Sequence, residues 1–170
     1  MEIRYTIVDS PYGRLLVGAT DRGVCSVILG DREVTLERDL ATQFPSATRT
    51  RVDAGDVWLA RLVRHVAEQV KRPASTGSIP LDLHGTAFQY RVWKALVAIP
   101  PGETRSYTQL ARQVGKPRAV RAVASACAAN RVAIVVPCHR VIRSDGSLGG
   151  YRWGLSRKAA LLRQEQAAAR

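Results

Sequence analysis

The chain has 170 residues, 46% of them apolar, and carries a formal net charge of +12. That length and apolar content suit one large domain or two small ones and exclude a disordered tail. No run approaches the ~18 uninterrupted apolar residues of a membrane span, and the charges at Glu2, Arg4 and Asp9 speak against a signal peptide.

The first half opens with short, β-branched runs at 4–8, 14–19 and 24–29, separated by turn signals at Ser10-Pro11-Tyr12-Gly13 and Asp21-Arg22-Gly23. This alternation of strand and turn predicts an antiparallel meander. A helix is expected over about 32–43. A second is expected over about 53–71, where Trp58, Leu59, Leu62, Val63, Val66 and Val70 recur at helical spacing. The Pro-, Ser- and Gly-rich stretch 71–80 reads as a loop into a second domain, dividing the chain into 1–79 and 80–170. Thr86 and Gln89 have the spacing of a capping box. The helix behind them presents Phe88, Val92, Trp93, Leu96 and Val97, and stops at Pro100-Pro101-Gly102. Ser106 and Gln109 form a second box that opens a short helix over 107–114. A turn at 115–118 and a helix over 119–130 complete a helix-turn-helix pattern. That last helix is lined by Ala119, Ala122, Ala124, Ser125, Ala126, Ala128 and Ala129, with Arg121 breaking its smoothness. It lacks the Arg, Asn or Gln that read base edges in a major groove. It either packs in a core or approaches a nucleic-acid backbone closely.

Charge is unevenly spread. Residues 1–85 hold 11 basic and 11 acidic side chains, whereas 86–170 hold 15 basic and only Glu103, Asp145 and Glu165 as acids. The whole excess lies in the second half, the footprint of a polyanion partner such as nucleic acid. Within that half, 135–142 reads VVPCHRVI. Pro137 forbids a regular central strand, so a bend is expected at Cys138-His139. A thiol attacks as thiolate, and an unassisted one, with a pKa of about 8.5, is mostly protonated at neutral pH. An imidazole can take the proton, and a carboxylate can orient the imidazole. Glu165 on the C-terminal helix, Glu103 and Asp145 are the acids available for this. The three cysteines, Cys25, Cys127 and Cys138, are widely spaced and suit a reducing cytoplasm. A DNA-modifying enzyme, a non-catalytic DNA-binding module and a thiol hydrolase are the three candidate classes. The basic half argues against a peptide substrate.

The segments IVVPCHRVI, GETRSY, KPRAVRAVASACAAN and GYRWG resemble the O6-alkylguanine-DNA alkyltransferases, most closely their bacterial adaptive-response branch. The likeness is dense over 80–165 and looser through 1–79. It implies an α+β chain: a small N-terminal ribonuclease-H-like α/β domain with an antiparallel sheet, then a winged-helix-like DNA-binding domain with a helix-turn-helix. It implies direct DNA repair, in which an alkyl group, chiefly methyl, passes irreversibly and once per molecule from O6 of guanine to Cys138. No cofactor is implied. The partner would be double-stranded DNA carrying O6-alkylguanine, with O4-alkylthymine as a further candidate lesion. The protein would act as a cytoplasmic monomer, alone or cooperatively along DNA. By this resemblance His139 takes the thiol proton through a water, Glu165 holds the imidazole, and Asn130 fixes the turn before the active-site strand. The alkylated atom lies inside the base stack, so its nucleotide must be swung out. Arg121 would fill the space left, and Tyr107, behind Ser106, would crowd the target phosphate. Ala122 would belong to a smooth helix in the minor groove. Tyr151, Pro137 and the backbone around Val141 and Trp153 would wall the base pocket, with the Tyr151 hydroxyl donating to the guanine as charge develops.

Each residue also has a plainer reading. Tyr107 and Tyr151 can be core aromatics, Arg121 a phosphate clamp, Asn130 a helix C-cap and Glu165 a solvated helix residue. Cys25 and Cys127 read as packing residues, and Arg140 and Arg143 as phosphate contacts or solvent-facing cations. Trp153 stands where several family members have small residues, which predicts a pocket favouring methyl over benzyl-sized groups. Cys25, His65 and His84 lack ligand spacing, so no metal is expected. Adaptive-response members carry a cysteine-rich regulatory region ahead of this part. The sequence begins at Met1 without one, which speaks against a transcriptional role. Lesion-sensing relatives lack the cysteine, so Cys138 favours transfer over sensing.

Overall fold

The computed structural model describes residues 1–53, 55–73 and 78–170. Positions 74–77 of the expected interdomain loop lie outside the described residues. The chain divides into two units, Met1–His84 with Arg131–Val135, and Gly85–Asn130 with Val136–Arg170.

In the first unit, β1 (Glu2–Ser10), β2 (Gly13–Ala19) and β3 (Val24–Gly30) pair as the antiparallel meander. Successive residues of β1 face opposite sides of the sheet, and a helix takes each side. The Tyr5 hydroxyl donates to Glu37 of α1 (Glu33–Gln43) at 2.9 Å. Arg4, on the other face, pairs at 2.6 Å with Asp56, the N-cap of α2 (Val57–Lys71). Leu36 and Leu40 of α1 and Leu59, Leu62, Val66 and Val70 of α2 are buried against this sheet unit's core.

One strand escapes the sequence reading. β4 (Thr48–Arg51) runs parallel to β1, so the sheet has the order β3-β2-β1-β4 and is mixed rather than antiparallel throughout. Its sequence, TRTR, offers no apolar alternation. It is an edge strand blunted by charge, and Arg51 pairs with Glu33, Glu37 and Asp53. The opposite edge, β3, is met by single bridges to Leu81 and Val132. Gly23 permits the first of these, because a Cβ there would lie 2.4 Å from the Pro80 carbonyl oxygen.

The second unit opens with α3 (Ala87–Val97). Its capping box is complete: Thr86 Oγ1 accepts from the Gln89 N–H at 3.2 Å, and Gln89 Oε1 accepts from the Thr86 N–H at 2.9 Å. Val92, Trp93 and Leu96 are buried, whereas Val97 is 51% exposed. Ser106 and Gln109 form the same reciprocal pair ahead of α4 (Tyr107–Gln113). Gly115, at φ +77°, turns the chain toward α5 (Val120–Ala128). Trp93 Nε1 donates to the Ala126 carbonyl at 2.9 Å, tying α3 to α5. The short strands β5 (Arg105–Ser106) and β6 (Val141–Ile142) pair in parallel, and α6 (Leu155–Ala168) ends the unit. No helix among the described residues is long and apolar enough to cross a membrane.

Thr86→Ala removes a side-chain acceptor from the first turn of α3, a loss of about 1 kcal/mol for an N-cap. The expected result is a thermal midpoint lower by about 2–4 °C, read by calorimetry.

Candidate active site

The bend expected at Cys138-His139 is a turn, where the family resemblance implied an active-site strand. Pro137 sits at φ −83°, ψ 62°, and Cys138–Arg140 form one turn of 3₁₀-helix. With three residues per turn, neighbouring side chains diverge. Cys138, His139 and Arg140 therefore reach different surroundings although they are consecutive.

Cys138 faces a half-enclosed cavity of about 480 Å³. Tyr107, Arg121, Cys127, Arg143, Tyr151 and Arg152 are among its other walls. The thiol is only 7% exposed. Asn130 Nδ2 donates to the Val136 carbonyl at 2.8 Å and to Cys138 Sγ at 3.3 Å, so one amide holds both the backbone of the turn and the sulfur. Burial pushes the Cys138 thiol up to about 11, against the opposing pull of the Asn130 bond and of the charges on Lys158 and Arg152. At neutral pH the sulfur is protonated.

His139 turns away into full burial, and its Nε2 lies 2.7 Å from Glu165 Oε1 on α6. An ionised carboxylate only accepts, so Nε2 carries the hydrogen and Nδ1 keeps a lone pair. Nδ1 is buried and has no hydrogen-bond partner among the described residues. Burial drives the imidazole below its ordinary value, and the bond from Glu165 pulls it back only in part. Burial also pushes Glu165 upward, but hydrogen bonds from His139 and Arg140, with their charges, hold its carboxyl at about 2. Burial thus favours an uncharged thiol and an uncharged imidazole, beside an ionised carboxylate.

Residues 87–167 match the family model for the 6-O-methylguanine DNA methyltransferase DNA-binding domain. The methylated-DNA–protein-cysteine methyltransferase of Mycobacterium tuberculosis strain H37Rv is 40% identical over 167 residues, covering 98% of this chain and 94% of that protein. The chain belongs to the methylated-DNA–protein-cysteine methyltransferase family.

Two further comparisons bracket the likeness. The Escherichia coli bifunctional transcriptional activator/DNA repair enzyme Ada is 51% identical over 165 residues, 97% of this chain but 46% of that protein, so the chain spans about half its length. The crystal structure of Mycobacterium tuberculosis OGT in complex with DNA superposes with a TM-score of 0.79 at 36% identity, covering 97% of this chain and 94% of that one.

In this methyltransferase-family chain, Cys138, Tyr107, Arg121 and Tyr151 of the expected site meet at one cavity. Asn130 holds the Cys138 sulfur, and His139 and Glu165 form a separate buried pair beginning at the next residue. Tyr107 is partly buried, and burial raises its hydroxyl to about 12. Gly149, at φ +70°, lies against its ring, where a Cβ would sit 3.1 Å from Cε2. The Tyr151 hydroxyl is buried and has no hydrogen-bond partner among the described residues. Arg121 is exposed at the rim, on the first turn of α5.

Other expected positions fall elsewhere. Ser106 is the N-cap of α4, and Ala122 is exposed on α5, but neither lines the cavity. Pro137 and Val141 are buried in the backbone around the turn. Trp153 is also not a wall. It is buried, and its ring packs edge-on against Tyr151 with centroids 5.2 Å apart, so it braces the tyrosine. A size filter acting through Trp153 directly is therefore not what this geometry supplies.

Two buried cations of this family chain escaped the sequence reading. Arg140 reaches neither phosphate nor solvent: its Nε donates to Glu165 Oε2 at 3.0 Å, Nη2 to Glu165 Oε1 at 2.8 Å, and Nη1 to the Ile99 carbonyl at 2.7 Å. Lys158 of α6 is fully buried, and its Nζ donates to the carbonyls of Val141 at 2.6 Å, Leu148 at 2.5 Å and Gly150 at 3.1 Å. Burial lowers Lys158 to about 8. The only prior signal was the low acid count of this half, which makes every carboxylate and carbonyl a contested acceptor. Among the described residues no three His, Cys, Asp or Glu side chains gather as a metal-ligating group.

Proposed function

We propose that the protein repairs alkylated DNA directly, as a single-turnover methylated-DNA–protein-cysteine S-methyltransferase. An alkyl group, chiefly methyl, passes from O6 of guanine to Cys138 Sγ. The S–C bond forms as the C–O6 bond breaks, in one displacement. The thiol proton leaves toward His139 Nδ1 through a solvent molecule and ends, in net, on the released guanine. Glu165 stabilises the imidazolium that exists in between. The product is a thioether, whose sulfur is a poor leaving group, so the protein is consumed.

The observation that carries this reading is the Cys138 thiol in the wall of a ligand-sized cavity, with the 2.7 Å His139–Glu165 pair beginning at the next residue. The cavity volume falls in the range of roughly 300–1,000 Å³ typical of small-ligand pockets. The net +12 charge supports duplex DNA as partner, as does the relative solved in complex with DNA. We assign O6-alkylguanine as the lesion, bound by one protein molecule after the nucleotide is swung out. In this scheme Arg121 takes the vacated place in the stack, and Tyr107 with the Ser106 cap crowds the phosphate. Ala122 lets α5 lie close to the minor groove. The Tyr151 hydroxyl, lacking another partner among the described residues, donates to the guanine as negative charge grows on it. At the level of fold, we read the first unit as ribonuclease-H-like and the second as winged-helix-like. The mixed four-stranded sheet with helices on both faces supports the former, and α4–turn–α5 followed by the small β5–β6 sheet supports the latter.

Mass spectrometry after incubation with a duplex holding one O6-methylguanine tests the proposal. One methyl per protein is expected, on the peptide containing Cys138, and none on Cys138→Ala, which still binds the duplex. Methyl on another residue, or many lesions cleared per protein molecule, would overturn it.

A further inference from the structure

We infer that Arg140 is a positioning residue for the proton transfer: its guanidinium clamps both oxygens of Glu165 and so keeps His139 a neutral base with Nδ1 free. The inference rests on the transfer reaction proposed above.

The geometry is over-determined. Each of the three guanidinium nitrogens has its own partner, two on the carboxylate and one on the Ile99 carbonyl at the end of α3. The residue is 7% exposed, and its carboxylate partner 2%. A bidentate arginine–carboxylate pair fixes the plane of the carboxylate as well as its charge. Nε takes Oε2, and Nη2 shares Oε1 with His139 Nε2, so the fork fixes Oε1 toward the imidazole. The hydrogen then stays on Nε2 and the lone pair on Nδ1. The terminal torsion of an unclamped glutamate is broad, and a carboxylate that rotated would release the ring.

Charge leads to the same result. The groups that act on the imidazole are Glu165 and Lys158 from α6, Arg140 from its own turn, and the Tyr151 ring, 6.4 Å away edge-on. Of these, Glu165 favours a proton on the imidazole, whereas Arg140 and Lys158 oppose it. If Glu165 were not already paired, the imidazole would be the nearest group able to supply a positive charge. A resting imidazolium has no lone pair with which to take the thiol proton.

The test is the pH profile of single-turnover methyl transfer from an O6-methylguanine duplex. Arg140→Gln is expected to slow transfer at least about tenfold at neutral pH and to move the acid-side midpoint to higher pH, with much of the rate recovered in alkali. Arg140→Lys, which keeps the cation without the fork, is expected to be slower but to retain the wild-type midpoint. A uniform loss at every pH in Arg140→Gln, or an unchanged rate, would overturn the inference, since a merely structural role scales the curve without moving it. A measurement on the unaltered protein guards against variants that do not fold. ¹⁵N NMR of the His139 ring should show the neutral, Nε2-protonated tautomer from about pH 6 to 8, and a charged ring or the Nδ1-protonated form would refute the clamp. If the wild-type protein transfers no methyl at all, it is the proposed reaction that fails, and the tautomer measurement still decides on Arg140.

Discussion

Glu165→Ala is expected to cost about 3–5 kcal/mol of stability and to slow methyl transfer at neutral pH by at least about 10²-fold. The two losses have separate causes. The stability loss arises because Arg140 and His139 remain buried after their shared acceptor is gone. A guanidinium without its carboxylate then sits uncompensated in the interior, and this, rather than the net worth of the pair, sets the magnitude. The rate loss arises because nothing remains to stabilise the imidazolium or hold the ring. Urea denaturation and single-turnover transfer, measured on the same samples, read the two separately. A variant that unfolds no more easily than wild type would mean that solvent enters the cluster freely. The pH dependence has a definite sign. The Glu165 carboxyl is held at about 2 against an ordinary 4.5, so its folded form binds fewer protons than its unfolded form between those values. Its contribution is fully present above pH 4.5 and is lost as pH falls toward 2. Glu33, Asp82 and Asp145 are also lowered, so the wild-type protein loses stability in acid for several reasons. The readout for Glu165 is the gap between wild type and Glu165→Ala, which should narrow as pH falls.

Lys158→Met is expected to be nearly as disruptive, at about 3 kcal/mol or more, since it leaves three carbonyls without their shared donor. Those carbonyls belong to Val141, Leu148 and Gly150, the two ends of the loop that brings Gly149 against Tyr107. Nζ also lies 6.0 Å from the centre of the Tyr107 ring. Loss of the lysine should therefore loosen one wall of the cavity and weaken transfer even where the protein remains folded. Hydrogen exchange across 141–150 should quicken before exchange in α3 does. Here, too, pH gives a signature. Burial lowers Lys158 from 10.5 to about 8, so between those values the unfolded chain binds the extra proton. Stability from this group is lowest below pH 8 and rises toward pH 10.5 as the buried charge is relieved. Cys127, Cys138, Tyr107 and Tyr151 are all raised and act in the opposite direction in alkali. The test is again a difference: from about pH 7 to 10, wild type should gain relative to Lys158→Met.

Both predictions concern charged residues whose partners lie far along the chain, and this is where sequence reading and structure part. The meander of β1, β2 and β3 was legible because apolar alternation and turn residues act over a few positions. The capping boxes at Thr86 and Ser106 were legible for the same reason, since cap and acceptor are three residues apart. The Pro137 bend before Cys138 was equally local, although a 3₁₀ turn rather than a strand follows it. β4 was not legible. Its four residues are polar, and its partner β1 lies more than forty residues earlier. Trp153 could be recognised as large, but not as a brace for Tyr151, because residue size carries no direction.

Composition and short-range pattern by themselves determined the basic second half, the helix-turn-helix, the bent cysteine–histidine segment and the resemblance that joins them. Only tertiary structure decided that Arg140 and Lys158 turn inward. A sequence-based reading sends a cation to water, because desolvating one is costly unless charge and hydrogen bonds meet it inside. Glu165, 25 residues from Arg140, and the carbonyls of a loop 8 to 17 residues before Lys158 supply that compensation. Spacing along the chain does not encode such partners, since they become neighbours only once the unit has folded.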